Sequence, residues 1–429
     1  MTLDRLLLRC VPYTPDRTAV ATPHRRHTYA DLARAVAAYS NALSDNGVSP
    51  GDRIVAVLDP GIEAVALLTA SARLGAIWVP VAAGSTPACI RAIVEAVSPA
   101  VLVTSGGVDE SVVRGNVAIA CPDEDTWRWL TPAGRGQPAS SQRGVLDIDA
   151  AYIAYGASAG QAARGVVMSH RAAAACLDAL LPFNALAIGT VIGSIASIQC
   201  DVWLLSTLAA LASGGTIACL PRASIAQPRE QARHMKALGV NQMNGTPATW
   251  SMLLRHAEKE LRDVETLLSV LYTRESFPIG DLKQLARLFP DLRIVNCFSH
   301  RESLACSFAD VPNPLPGDAE ALSFGRGHDG VELLLVDNAG RRITTPHVLG
   351  ELYVRSPALF LGYWNDPVAT AQALVLHPLL PQTGERVFRA GDLACFDSNG
   401  DYFFAGRAAD EAHAAGGRVA HPSVRHAWH

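Results

Sequence analysis

From His27 to Val103 the apolar positions alternate between a helical period and short continuous runs. HTYADLARAVAAYSNALSDNGVSPGD keeps its apolar residues on one helical face and closes at Asn46-Gly47, a common helix stop. RIVAVLD then reads as a buried strand, GIEAVALLTASARLG as a helix and AIWVPV as a strand. STPACIRAIVEAVSPAVLVTS repeats helix and strand, with Ser85 and Thr86 as cap candidates ahead of Pro87. Such alternation predicts largely parallel sheets covered by helices. Residues 105–148 are richer in Gly, Ser, Asp and Pro and predict a weakly structured connection. A second alternating run covers 150–310: strand AYIAY, a glycine-bearing turn, GVVMSH returning as a hairpin, helix RAAAACLDALL, strand IGSIAS and a helix over 201–213. GTIACLP, a helix over 226–238 and strands near 268–273 and 292–297 complete it. From about 322 shorter strands follow (VELLLVD, GELYVRS, DLACFD, DYFFAG), with turns at Asp337–Gly340 and Ser398–Gly400. The expected fold class is α/β. Two α/β subdomains with mostly parallel sheets, 1–148 and 149–321, precede a small β-rich subdomain, 322–405, and a terminal stretch, 406–429, too short and polar for a domain.

Composition narrows the picture. The chain has 429 residues, 49% hydrophobic and 18% charged, which excludes disordered and fibrous classes. A net charge of −4 supplies no basic field for a phosphate backbone, so nucleic acid is not an expected partner. Residues 179–200 and 202–221 lack charge. Pro182, Asn184, Gly189, Gly193, Gln199 and Gly214-Gly215 break them into strand- and helix-sized pieces, so they predict buried core rather than a membrane span. Nine scattered cysteines without a C-x-x-C pair predict buried thiols in a reducing, cytoplasmic compartment. His413, His421, His426 and His429 match no metal-site spacing and read as a solvated tail. Lysine occurs only at 236, 259 and 283, which excludes any mechanism that draws an earlier or later lysine from this chain.

The segment with most chemistry is YGASAGQAARGVVMSH, Tyr155 to His170. A glycine-bearing turn after a buried strand lets backbone N–H groups approach phosphate, although a plain tight turn uses the same residues. Gly156–Gly160 is also a G-x-S-x-G string, but a nucleophile elbow needs a helix directly after it, where this segment predicts a hairpin return. Six further segments stand in order. HTYADLARAVAAYSNAL with GVSPGDRIVAV resembles "L-T-Y-x-E-L … G-V-x-P-G-D", and RLGAIWVPV resembles "K-A-G-A-A-Y-V-P-L". QCDVWLLSTLAALASGG resembles "F-D-x-S-V-W-E … L-x-x-G", and NCFSHRE resembles "N-x-Y-G-x-T-E". GELYVRSPALFLGYWNDP resembles "G-E-L-Y-I-x-G-x-x-L-A-x-G-Y-x-x-x-P", and FRAGDL resembles "Y-R-T-G-D-L". In that order they resemble the adenylate-forming superfamily (acyl-CoA synthetases, luciferases and amino-acid adenylation domains), most closely the adenylation domains of nonribosomal peptide synthesis.

The resemblance implies an adenylation-type core whose ligand cleft lies where the three subdomains meet, with ATP and Mg²⁺ as cofactors if adenylation is retained. Asp392 would take both ribose hydroxyls on its two acceptor oxygens, and Arg407 would lie near ribose and phosphate. Phe298 would stack on adenine in place of a tyrosine, Asn296 would address the adenine edge, and Glu302 would hold Mg²⁺. Gly160 and Gly165 would belong to the phosphate loop. Asp201 would pair with a substrate amino group, or cap the helix that follows Cys200; the two are compatible. Val202, Leu205, Leu271, Thr273, Cys297, Ala305 and Cys306 would complete an acid pocket suited to a small or medium apolar side chain.

Against "Y-T-S-G-T-T-G-x-P-K-G-V", this chain keeps Ser158 among the hydroxyls and carries Arg164 for the lysine, a planar fork in place of a point charge. The "G-G-E-A" turn reads Thr273-Arg274-Glu275-Ser276, with one long cation where the pattern has glycine. The family's hinge pattern survives only as GRAADEAHAAGGRVA, with Ala409 at the hinge acid, and the lysine-bearing C-terminal domain expected after it is absent from these 429 residues. Loss of such a cation costs on the order of 10²–10³-fold in rate, so slow adenylation by the chain alone is expected. Two functions follow. One is ATP-dependent activation of an amino or carboxylic acid as an acyl-adenylate for transfer to a carrier protein or other acceptor, with a partner enzyme supplying the missing lysine. The other is a degenerate homologue that binds a ligand or carrier protein, or runs a repurposed acyl-group reaction with Ser158 as nucleophile. His300 and Arg301 lie inside the adenine motif and are further candidates; an ion pair with Glu302 or Asp310 is the plain alternative for Arg301.

Overall fold

In the computed structural model, two eight-stranded sheets and one five-stranded sheet account for the named strands. The structure describes the chain except 107–116, 124–125, 132–143, 157–163, Ala185, Ala187, Arg274, 317–320 and 409–429. Expectations for Ser158, Gly160, Arg274, Ala409 and the terminal histidines therefore lie outside the described residues.

The first sheet is built on parallel strands Arg53–Leu58, Ile77–Ala82, Val101–Thr104 and Ala118–Asp123. Their helices start and stop where the residues dictate. Thr28 and Asp31 form a reciprocal capping box at the start of helix Tyr29–Asp45, worth about 1 kcal/mol. Thr86, rather than Ser85, caps Pro87–Val97 by accepting from the Cys89 amide. Helix Ile62–Leu74 ends on Gly75 at φ +70°, where a Cβ would also meet Val145 at 2.9 Å.

The second sheet is parallel through Thr18–Ala21, Thr216–Cys219, Val191–Ser194, Gln242–Gly245, Ser269–Thr273 and Arg293–His300. Helix Asp201–Ser213 packs on it with nine of its thirteen residues buried and none exposed. Its Trp203 ring lies 5.9 Å from Trp78 of the first sheet, and the largest apolar cluster is shared by the two sheets. This explains the charge-free sequence over 202–221: the helix has no solvent face. Among the described residues no helix is long and apolar enough to cross a membrane. The antiparallel third sheet comprises Glu332–Val336, Gly350–Arg355, Arg386–Phe396, Leu374–Leu376 and Tyr402–Arg407.

Four expectations need correction. Residues 105–148 are not merely a connection: Ala118–Asp123 and Thr126–Thr131 form a hairpin on the first sheet, and Trp127 packs 5.1 Å from Tyr39. The period-two pattern of TWRWLT holds two indoles on one face, a signal masked by the turn-rich flanks. The boundary at 148/149 is not a boundary between sheets. Strand Ala150–Ala154 joins the first sheet beside Ile77–Ala82, and Thr18–Ala21 joins the second. Within 322–405, Gly362–Tyr363 leaves the third sheet to pair with Val166 and Val167 of the first. The helix expected over 226–238 starts at Pro228, after a short 3-10 turn at Arg222–Ala226. Burial patterns identify strands, but hydrogen-bond partners depend on the whole topology. The hairpin expectation holds: Val166–Ser169 returns antiparallel along Ala150–Ala154. All nine cysteines are free, five buried and four half-buried.

Candidate functional site

A cleft of about 720 Å³ opens at the end of strand Arg293–His300, against the third sheet. It brings together Asp201, Asn296, Cys297, Phe298, Glu302, Asp392 and Arg407, predicted from positions up to two hundred residues apart. Strand register does much of the positioning. Asp392 and Arg407 are direct partners across Arg386–Phe396 and Tyr402–Arg407, which brings Arg407 Nε to 2.9 Å from Asp392 Oδ1. His300 Nε2 reaches Asp392 Oδ2 at 3.1 Å. Yet neither His300 Nε2 nor Asp392 Oδ1 has a partner at hydrogen-bonding angles, although the Asp392 side chain is only 1% exposed. Phe298 stacks on Phe324 with ring centres 4.1 Å apart, and His300 meets its edge at 5.0 Å. Asn296 lies in the same strand and donates Nδ2–H to the Ser323 carbonyl at 3.1 Å.

Glu302 accepts a hydrogen bond from the Tyr363 hydroxyl at 2.9 Å. Burial first, and the adjacent Glu302 charge second, push the Tyr363 pKa well up, so the phenol stays protonated and remains a donor. Arg164 lies over the Tyr363 ring at 5.5 Å and pairs with Asp366 at 3.2 Å. With 56% of its side chain exposed, Arg164 lies outside the cleft lining. The aromatic face and the carboxylate of the 363–366 turn hold it there. Gly165 has a packing reason: a Cβ there would lie 2.7 Å from the Tyr155 ring.

Asp201 is the first residue of its helix, not its cap. Cys200 occupies the cap position and makes no side-chain capping hydrogen bond there, and the Asp201 carboxylate lies 3.7 Å from Arg301 Nε. Arg301 therefore pairs with Asp201 rather than Glu302 or Asp310; Asp310 is taken by Arg293 at 2.6 Å. Beyond Asp201 a smaller cavity of about 30 Å³ is lined by Val202, Leu205, Leu271, Thr273, Cys297 and Ala305, as expected, and also by Leu180, Asn244 and Ser299. That is room for about one water molecule. Cys306 does not line it; its Sγ lies 3.0 Å from the buried Ser303 hydroxyl. Burial drives the Cys297 thiol well above its ordinary pKa and Cys306 to about 12, so both remain neutral packing groups.

Several site residues escaped sequence reasoning. Tyr363 stands in the G-Y of a quoted motif and was legible there. Gln199 donates to the carbonyls of Tyr155 and Gly156 and accepts from the Ala82 amide, tying the loop start to both sheets. Phe324 and Asn244 carried no local signal.

Three buried polar atoms without hydrogen-bond partners, His300 Nε2, Arg301 Nε and Asp392 Oδ1, belong to residues that line this one cleft. Buried polar groups are nearly always hydrogen-bonded; these three face only ion-pair partners of the same cleft, and a ligand bearing both hydroxyl and anionic groups would complete them. Of the four carboxylates that line the cleft, Asp201, Glu275, Glu302 and Asp392, Glu302 would suit Mg²⁺ held mainly by phosphate oxygens and water. Among the described residues no cluster of three or more metal-ligating side chains occurs.

Residues 8–364 match the family described as AMP-binding enzyme. Pyochelin synthetase PchF of Pseudomonas aeruginosa is 26% identical over 423 residues, covering 96% of this chain and 23% of that protein. The chain thus spans about a quarter of that relative. The L-proline--[L-prolyl-carrier protein] ligase of Pseudomonas fluorescens is 24% identical, covering 99% of this chain and 85% of that protein. The crystal structure of IdnL1 superposes with a TM-score of 0.89 at 35% identity, covering 95% of this chain and 83% of that one. The adenylation-type fold read from the motifs is thereby established, and the chain belongs to the AMP-binding enzyme family.

Proposed function

We propose that this chain binds ATP with Mg²⁺ in the 720 Å³ cleft and activates a small amino or carboxylic acid as its acyl-adenylate, for delivery to a carrier protein. The observation that carries this reading is the convergence of three unsatisfied buried polar atoms on one cleft. Asp392 would accept from the ribose hydroxyls, Phe298 and Phe324 would form the aromatic wall for adenine, and Glu302, steadied by Tyr363, would hold Mg²⁺. Bound ATP would supply the α-phosphorus that the acid's carboxylate attacks, with pyrophosphate leaving; these residues would bind and orient it. The 30 Å³ cavity behind Asp201 supports an acid with a very small side chain. The carrier-protein step draws support from the family and from the relative named a prolyl-carrier protein ligase.

A second reading has its own support. Arg164 is committed to Asp366 and Tyr363, which favours a homologue that binds nucleotide without turning it over. Calorimetry with ATP and AMP, combined with pyrophosphate exchange over a panel of amino and carboxylic acids, separates the two. Micromolar ATP binding with exchange is expected. Binding without exchange, also after a lysine-bearing C-terminal domain is added in trans, would leave the second reading standing. Silence in both assays sinks both.

A further inference from the structure

The strand Leu304–Asp310 is irregular where it borders the site. Its ladder with Arg293–His300 shifts register: Ser307 faces Phe298 and Ala305 faces Ser299, which makes Cys306 the extra residue of a bulge. Phe298 lines the large cleft and Ala305 the small cavity. Whatever holds this bulge therefore holds a wall of each.

His328 holds it, from the segment that leads from the second sheet to the third. Its backbone N–H donates to the Cys306 carbonyl at 3.2 Å, and its ring Nε2 lies 3.0 Å from the Ala305 carbonyl. The ring also stacks on Phe308 of the same strand, with centres 5.5 Å apart. The second ring nitrogen, Nδ1, lies 2.9 Å from the Asp329 carbonyl. A carbonyl oxygen accepts and does not donate. Two carbonyls on two ring nitrogens need two N–H groups, and a neutral imidazole has one. Imidazolium makes both bonds, whereas the neutral ring sets a nitrogen lone pair against an oxygen.

The surroundings favour the cation. The groove that His328 lines also receives Asp178 of helix His170–Asn184, Asp310 of the strand, Arg326 and Asp329 of its own segment, and Asp397 and Asp401 beside the third sheet. Asp310 pairs with Arg293 at 2.6 Å and Asp401 with Arg326 at 3.0 Å. The remaining aspartates make the local field acidic, which stabilises a charged histidine. Cys306 adds no charge, because burial pushes its thiol up to about 12.

We propose that His328 is a proton-dependent pin on the bulge behind the cleft. Protonated, its ring bonds the Ala305 and Asp329 carbonyls together and ties the bulge to the third subdomain; deprotonated, it gives up one of the two bonds. The stability contributed by the pin is present at low pH and is lost as pH rises through the histidine range. The pin acts on the shape of the site and does not depend on which ligand the site takes.

The test reads the ring and the fold separately. In the chain labelled with ¹⁵N-histidine, with the His328 signals assigned through their contact with the Phe308 ring, both ring nitrogens are expected to carry protons at pH 7, where an unperturbed histidine is mostly neutral. A ring with a single N–H at that pH overturns the proposal. Thermal unfolding is then compared between wild type and His328→Phe, which keeps the stacking and removes both N–H groups. The gap in Tm is expected to be wider at pH 6 than at pH 8.5 by roughly 1–3 °C, the scale of one hydrogen bond in a chain of this size. An equal gap at both pH values marks plain packing, and a wider gap at pH 8.5 reverses the sign; either result also overturns the proposal. If His328→Phe does not fold, His328→Gln, which has an amide donor that does not titrate, supplies the same comparison, and the ring spectra of the wild-type chain decide on their own.

Discussion

One end of the cleft is set by backbone register, the other by side chains that reach across from separate elements. Asp392 and Arg407 face each other because two antiparallel strands pair them, and Asn296, Phe298 and His300 share a strand, each two residues from the next. At the other end, Gly156, Asp201 and Arg301 come from a loop, a helix start and the turn after a strand. The register-built end keeps Asn296, Asp392 and Arg407 of its motifs and exchanges tyrosine only for another aromatic ring, Phe298. The side-chain-built end has exchanged them: a hydroxyl lost at 156, a guanidinium gained at 301, and Arg164 turned onto Asp366. Moving a residue out of register disturbs a whole ladder, whereas two side chains meeting across a gap can change together at little backbone cost.

The comparison breaks most visibly at Asp392. Asp392→Ala removes the acceptor for two hydroxyls and is expected to weaken AMP and adenosine alike by about a hundredfold, read by calorimetry. Preserved adenosine binding would move the nucleoside away from the register-built end. A smaller effect is expected at Tyr363, whose hydroxyl bonds Glu302. Tyr363→Phe should weaken Mg²⁺-dependent ATP binding about three- to fivefold, the scale of one hydrogen bond, while binding measured with EDTA stays unchanged. The smallest is at Arg164. Its ion pair is exposed, and such pairs contribute about 0–1 kcal/mol, so Arg164→Ala should alter AMP affinity by less than about threefold. A loss of tenfold or more would restore Arg164 to the phosphate end and dissolve the contrast.

Legibility followed the same divide. Asn296, Phe298, Glu302 and Asp392 were readable because motif spacing within a strand carries straight into geometry, and they do line one cleft. The partners of Arg164 were not legible, because its charge was visible but its contact with the ring of Tyr363, two hundred residues away, was not. Cys306 was misassigned because a position beside a pocket residue still depends on which way its side chain bonds, here towards Ser303. Phe324, Asn244 and Gln199 lack any local pattern; only packing selects them. The hairpin Ala118–Thr131 was hidden for a different reason, a two-residue period buried in turn-forming composition.

By itself the sequence determined the alternation of strand and helix, a cap at Ser85 or Thr86 ahead of Pro87, the charge-free core helix Asp201–Ser213, the family, and the absence of any lysine before 236. These depend on local propensity, periodicity and ordered motifs, all of which act over short stretches of chain. Only the tertiary structure decided which sheet receives Thr18–Ala21 and Ala150–Ala154, that the cavity beyond Asp201 holds about 30 Å³, and that Arg301 is the arginine beside Gly156. Those outcomes turn on ångström-scale distances between residues remote in sequence. Such distances arise from competition among many packing and ionic partners at once, and no single segment encodes its result.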